Sequence, residues 1–251
     1  METWQYVLLT GVGLVAGVIN VIAGGGSLLT LPVMILMGLP APVANGTNRV
    51  AIFAQNIVAV SAFRSKGLSD FKLSLTLALC TIPGGIAGAW CGAMIRGELF
   101  NRILAVIMIG VVILMATKKK APAKTPGERL PQTRGRLIAG HLCMIVVGFY
   151  GGFIQAGVGF LIMAALNRVM RLDLVQVNMH KVFIVGAFTL AALAVYIVTG
   201  NVWWIPGVAL ALGNSIGGWI GSHLTISKGE VFVQRILYAA LIIMAIKLIF
   251  Y

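Results

Sequence analysis

Acidic residues are scarce in this 251-residue chain, with six Asp and Glu against 19 Lys and Arg. None of the six lies deep in an apolar run. That absence excludes a carboxylate proton relay and a carboxylate-built cation site. Charge of either sign is sparse, at 10% of residues, where soluble domains carry about 25%. Cysteine is nearly missing too. Cys80, Cys91 and Cys143 sit in apolar runs without metal-ligand spacing, which leaves them as packing residues. There is no Ser-His-Asp set, no metal cluster and no Gly-Lys-Ser/Thr phosphate loop. The reading is therefore not an enzyme, and it calls for no cofactor. The N-terminus shows no basic n-region and no small-residue cleavage site, so it does not read as a signal peptide.

Apolar sequence fills the remainder. Hydrophobic residues make up 59% of the chain and the mean hydropathy is +1.00. An all-α, polytopic helical membrane protein follows. Eight apolar segments stand out, at about 4–38, 43–63, 71–95, 99–116, 137–167, 174–199, 203–224 and 231–250. Six suit one crossing, since roughly 20 residues span the hydrocarbon core. The first and fifth are too long for one helix, and each is interrupted by glycines: Gly24-Gly25-Gly26 and Gly157-Val158-Gly159. Glycine costs roughly 1 kcal/mol in a helix interior relative to alanine. Both segments are therefore predicted to break, which allows up to ten helical crossings.

The net charge of +13 would suggest nucleic acid in a soluble protein. Here most cations lie between apolar runs, where they set topology, and no nucleic-acid partner is expected. Residues 117–136 form a basic, proline-punctuated linker that divides the chain into repeats 1–116 and 137–251. Shifted by 133 residues, Leu39 falls on Leu172, Asn45 on Asn178, Phe63 on Tyr196, Gly67 on Gly200 and Arg102 on Arg235. The ladder Gly84/Gly88/Gly92 recurs as Gly213/Gly217/Gly221, and Gly13/Gly17 as Gly148/Gly152; such small residues let helices approach closely.

With the linker cytoplasmic, a single crossing by segment five would strand Arg168 and Arg171 outside. A fold-back at the glycines returns them to the inside. The same fold-back in segment one puts the N-terminus outside. The expected arrangement is two inverted repeats with broken or hairpin first helices, multi-pass in the cell inner (plasma) membrane, with both termini outside. Trp4, Tyr6, Trp203, Trp204 and Tyr251 then form an outer aromatic belt.

Inverted repeats with interrupted helices commonly enclose a midplane site. One half-helix is expected to start near Ser27 and the other near Phe160, their N-termini facing one another. Such termini attract anions. Segment two carries Asn45, Thr47, Asn48, Arg49, Gln55 and Asn56. Segment six carries Asn178, His180 and Lys181. Each repeat thus brings an intramembrane cation, Arg49 or Lys181, and a bound anion is its expected partner. The bland alternative is that both snorkel to the headgroups. The candidate substrate-binding set is Gly24, Gly25, Gly26, Ser27, Asn45, Thr47, Asn48, Arg49, Gln155, Gly157, Gly159, Asn178, His180 and Lys181. If protons drive transport, His180 is the candidate relay.

These residues carry a resemblance. Ile22-Ala-Gly-Gly-Gly-Ser-Leu-Leu-Thr-Leu-Pro32, Ala44-Asn-Gly-Thr-Asn48, the degenerate second copy and Ser227-Lys228-Gly229 resemble the TauE/SafE, sulfite exporter-like, transporters. The resemblance covers nearly the whole chain. It implies a permease of two related halves that moves small anions such as sulfite or organosulfur compounds. The second copy departs from the first, with Val158 and Phe160 in place of Gly25 and Ser27. The leading expectation is a secondary transporter of a small anion working by alternating access in a lipid bilayer, with proton or ion coupling and homo-oligomerisation both open. An anion channel and a non-transporting scaffold subunit are the alternatives.

Overall fold

The structure, a computed structural model, describes residues 2–95, 97–116 and 133–227. Every regular element among them is helical: α1 (Thr3–Ala23), α2 (Ser27–Leu36), α3 (Ala41–Ser65), α4 (Phe71–Met94), α5 (Gly97–Ala116), α6 (Arg134–Phe153), α7 (Val158–Ala164, extended by a π-helical turn at Ala165–Val169), α8 (Leu174–Val198) and α9 (Trp204–Ser227). Helices α1, α4, α6 and α8 are long and apolar enough to cross a membrane. Both predicted breaks are present, at 24–26 between α1 and α2 and at 154–157 between α6 and α7. The basic linker, the last apolar segment, Tyr251 and Lys228-Gly229 lie outside the described residues, apart from the linker's end at 133–136.

Boundaries follow local chemistry. Pro40, just before α3, has no N–H to leave unpaired and cannot extend α2. Asp173 caps α8 by accepting from the amides of Val175 and Gln176 at 2.9 and 3.0 Å. Burial is inside-out relative to a soluble protein. Val198, Val146 and Val106 are exposed, whereas Asn45, Thr47, Asn48, Arg49, Gln55 and Asn56 of α3 are buried. An apolar exterior is what lipid selects.

Packing exchanges elements between the halves. Helix α1 lies along α9, and α6 along α4, each parallel to its partner. The glycine ladders make both contacts. A Cβ added at Gly84 would stand 2.5 Å from the Ile145 carbonyl, and one at Gly88 would meet Phe149 and Phe153. At the matching α9 positions, Gly213 and Gly217 abut Thr10, Leu14 and Val18 of α1. Gly13 and Gly17 answer from α1 as Gly148 and Gly152 do from α6. The equivalent helices α3 and α8 are antiparallel: Asn45 bonds to Tyr196, Asn56 lies beside Gly186, and Phe63 packs with Met179. Antiparallel equivalents mean that the repeats are inverted, related by a pseudo-twofold axis between α3 and α8.

The fold-backs follow from the same contacts. Thr10 hydrogen-bonds to the Ala209 carbonyl and Thr47 to the Trp203 amide, so α1, α3 and α9 all start at one end. Ser74 bonds to His180, and Gly84 meets Ile145, so α4, α6 and α8 start at the other. Trp4, Trp203 and Trp204 thereby share the first end. Arg64, Lys66, Lys72, Arg134, Arg136, Arg168 and Arg171 share the second. Segments one and five are therefore hairpins, which explains how seven cations on four separate stretches collect at one end of the bundle.

Close packing at the ladders makes a paired prediction. Gly88→Ala should lower the melting temperature in detergent, since overpacking costs typically 1–3 kcal/mol. Gly110→Ala, where an added Cβ has nothing within 4 Å, should leave it unchanged or raise it.

Candidate functional site

The two breaks meet. Gly24 ends α1 with φ +81, and a Cβ there would lie 2.5 Å from the Cα of Gly159. Gly157, with φ +72, is the residue before α7. Both conformations are left-handed, which glycine adopts without penalty. Between the helices, Gln155 holds φ +56 although it is not glycine. The second half-helix starts at Val158 rather than near Phe160. The left-handed Gly157 lets the chain turn two residues earlier than the match with Ser27 implied.

Helix α2 is tied to α3 by a buried polar cluster. Asn48 Nδ2 donates to Ser27 Oγ at 3.0 Å, and Thr30 Oγ1 donates to Asn48 Oδ1 at 2.7 Å. Gly26 packs against Ala16 and Asn20 of α1, and Gly25 accepts from the Leu28 amide. On the other break, Gln155 Nε2 donates to Thr189 Oγ1 at 3.0 Å, while Gln155 Oε1 has no partner.

The buried cations are placed by the ends of α1 and α6. A helix end leaves four carbonyls without intrahelical partners and carries partial negative charge. Arg49 Nη2 donates to the carbonyls of Gly151 and Gly152 in the last turn of α6. Lys181 Nζ donates to the Val21 carbonyl in the last turn of α1 and to Asn178 Oδ1, each at 2.6 Å. Thus each repeat's cation caps the first helix of the other repeat, and neither snorkels.

Arg49 also stacks 4.7 Å from the Tyr196 ring centroid. Asn45 Nδ2 donates to Tyr196 Oη at 2.6 Å and to the Phe153 carbonyl at 2.8 Å. Around this set, Arg49 Nε, Arg49 Nη1 and Asn45 Oδ1 are buried without partners. A surface salt bridge joins Arg102 to Glu98.

Not all candidate residues converge. Arg49 is ninth of the 25 residues of α3, and Lys181 is eighth of the 25 of α8. Because those helices run antiparallel, Lys181 is level with the Ala59–Phe63 turn. The backbone positions that carry the two cations therefore lie about 12 residues apart in depth, or about 18 Å at 1.5 Å per residue. His180 bonds to Ser74 at 2.8 Å near the basic end, and Thr47 accepts from the Trp203 amide near the aromatic end. Sequence reasoning passed over Tyr196, Thr30 and the carbonyls of Val21, Gly151 and Gly152. Tyr196 had a signal, its register with Phe63; the carbonyls had none.

Fold and site define a class: a polytopic helical membrane protein of inverted repeats, with broken helices and cations enclosed between them, the construction of transporters. The comparisons with known proteins agree. The family model described as Sulfite exporter TauE/SafE matches residues 9–248, and the chain belongs to that family. A protein named probable membrane transporter protein YfcA, from Escherichia coli K12, is 28% identical over 242 residues, 95% of this chain and 87% of that one. Probable membrane transporter protein ORF9 from Sinorhizobium sp is 25% identical over 236 residues, 94% and 88% of the two chains. A probable membrane transporter protein of Haemophilus influenzae is 24% identical over 243 residues, 97% and 94%. No solved structure matches. The protein is a membrane transporter.

The α2–α3 cluster supplies a test. Asn48→Ala leaves the Ser27 and Thr30 hydroxyls buried without their partner. It should cost about 1–3 kcal/mol, seen as a lower melting temperature, and Thr30→Val in the Asn48→Ala background should add less than it costs alone.

Proposed function

We propose that the protein is a secondary transporter of a small anion, working by alternating access, and that the anion is sulfite or an organosulfur anion. Arg49 carries the reading. It is wholly buried, no carboxylate among the described residues pairs with it, and two of its three guanidinium nitrogens have no hydrogen-bond partner. A buried, under-satisfied guanidinium is costly, and an oxyanion is the partner that answers both its charge and its donors. The family description, sulfite export, supports sulfur chemistry.

Attached to the backbone about 18 Å apart in depth, the two cations need not hold one small anion together. They would receive it in succession, Lys181 nearer the basic end and Arg49 nearer the aromatic end. Gln155 and the glycine breaks would supply hydrogen bonds between them, with Asn45, Thr47 and Asn48 beside Arg49 and Asn178 beside Lys181. The positive-inside rule makes the basic end cytoplasmic and the aromatic end external, in a plasma membrane. His180, bonded to Ser74 at the basic end, would serve proton coupling.

The test is uptake and binding in proteoliposomes by Arg49→Gln and Lys181→Gln. Each should weaken anion affinity roughly tenfold or more, about 1.4 kcal/mol. Wild-type protein should gain thermal stability with its anion in a panel of sulfite, thiosulfate, sulfoacetate and carboxylates. Unchanged affinity in both variants would sink the assignment. Saturable uptake with counterflow is the outcome expected of a carrier; a channel would give neither.

A further inference from the structure

We propose that the cavity between α3, α4 and α8 is the access vestibule for the transported anion, and that the equivalent place at the aromatic end is the same vestibule sealed. The inference rests on the reading of the protein as an anion transporter. The cavity holds about 440 Å³ at the basic end, with Val60, Phe63, Leu68, Phe71, Met179 and Phe183 as its apolar wall and the exposed side chains of Arg64 and Asp70 both on its lining. Ser74, on its lining, bonds to His180. Asp70 offsets Arg64 locally, so the attraction for an anion comes from the excess of cations gathered at this end, and an apolar wall does not retain the anion, as suits a passage.

Phe63 and Met179 also pack against Val21 and Val182 in one apolar cluster. The Val21 carbonyl is an acceptor for Lys181. Phe63 and Met179 thus link the cavity wall to the residue whose carbonyl holds that ammonium.

The repeat register gives the counterpart. Phe63 corresponds to Tyr196, Met179 to Gly46, Leu68 to Asn201, Ser74 to Gly207 and Val60 to Leu193. The two connections turn alike: the Leu68 amide donates to the Phe63 carbonyl and the Asn201 amide to the Tyr196 carbonyl, after Gly67 and Gly200 at φ +74 and +72. Beyond these turns the two ends differ. Gly46, without a side chain, lets the Asn201 carbonyl and the Tyr196 ring close upon it; a Cβ there would come within 2.8 Å of Tyr196 Cδ1. The Trp203 amide bonds to Thr47, and Asn201 Nδ2 to the Ala93 carbonyl. Tyr196, in the place of Phe63, lies on Arg49. So equivalent side chains stand on the way to each cation, with a cavity at the basic end and close packing of Gly46, Tyr196 and Asn201 at the other. Exchange of these two arrangements between the repeats is the transport movement, with Phe63–Met179 and Tyr196–Gly46 as its gates.

The experiment uses equivalent positions. Val60→Cys and Leu193→Cys are made separately in a variant whose Cys80, Cys91 and Cys143 are serine, and each is reconstituted in nanodiscs. A membrane-impermeant maleimide is applied with and without sulfoacetate or sulfate, which do not react with it. Without anion, Val60→Cys should label roughly tenfold faster or more, as expected if the opposite state is a minor one. Either anion should shift the ratio of the two rates. Equal rates, or a faster Leu193→Cys, overturn the vestibule. A large ratio that neither anion moves overturns its assignment to the anion path. Uptake by the cysteine-free protein is measured alongside: uptake with equal labelling refutes the vestibule alone, and absence of uptake refutes the transport reading.

Discussion

A helix that stops inside a membrane protein exposes carbonyls that no water reaches, and in hydrocarbon such groups must find donors within the protein. Helices α1 and α6 both stop there, at Ala23 and Phe153. The donors come from the opposite half: Lys181 of α8 for α1, Arg49 of α3 for α6. Charge and terminus offset each other, since a cation at a helix C-terminus is the favourable pairing. The rest of the architecture follows from this crossed capping. Each half lends its cation to the first helix of the other, so the halves interleave, and α1 and α6 pack on α9 and α4 of the other repeat.

Interleaving sets the demand for glycine. Parallel helices joined by ladders approach backbone to backbone, as at Gly84 against Ile145 and Gly213 against Thr10. Lipid offers no hydrophobic drive for helix association, so this packing carries much of the stability. The breaks obey the same rule, Gly24 resting directly on Gly159. Rigid, close contacts between α1 and α9 and between α4 and α6 leave the α3–α8 seam, with its polar side chains and unfilled donors, as the place where the molecule can rearrange. A ligand shifts a conformational equilibrium only through differential affinity for the two states. On the proposed reading, an anion that drew on Arg49 or Lys181 would compete with the very carbonyls that hold the repeats together, which would couple occupancy to packing.

Much of this was legible in the chain. Counting cations required fold-backs in segments one and five, and both are hairpins. The register of 133 residues predicted two related halves and the charge count their inversion, and antiparallel α3 and α8 show it. The ladders at Gly84/Gly88/Gly92 and Gly213/Gly217/Gly221 were visible as spacing, though not which helix each one meets. Arg49 and Lys181 were recognisable as intramembrane cations, one in each repeat, and inversion sends them to opposite depths. The second half-helix start was misplaced by two residues because its turn is made by Gly157.

Hydropathy, charge bias and glycine period are one-dimensional quantities, and the bilayer constrains each along the chain, which is why the sequence by itself determined the helical class, the inverted repeats and the hairpins. The tertiary structure alone decided what the buried cations touch, that Tyr196 stacks on one of them, and that a cavity stands open at the basic end. The reason is chemical: the partners of Arg49 and Lys181 include backbone carbonyls, and a carbonyl is the same group at every residue, so no pattern of side chains announces which ones a fold will leave unpaired.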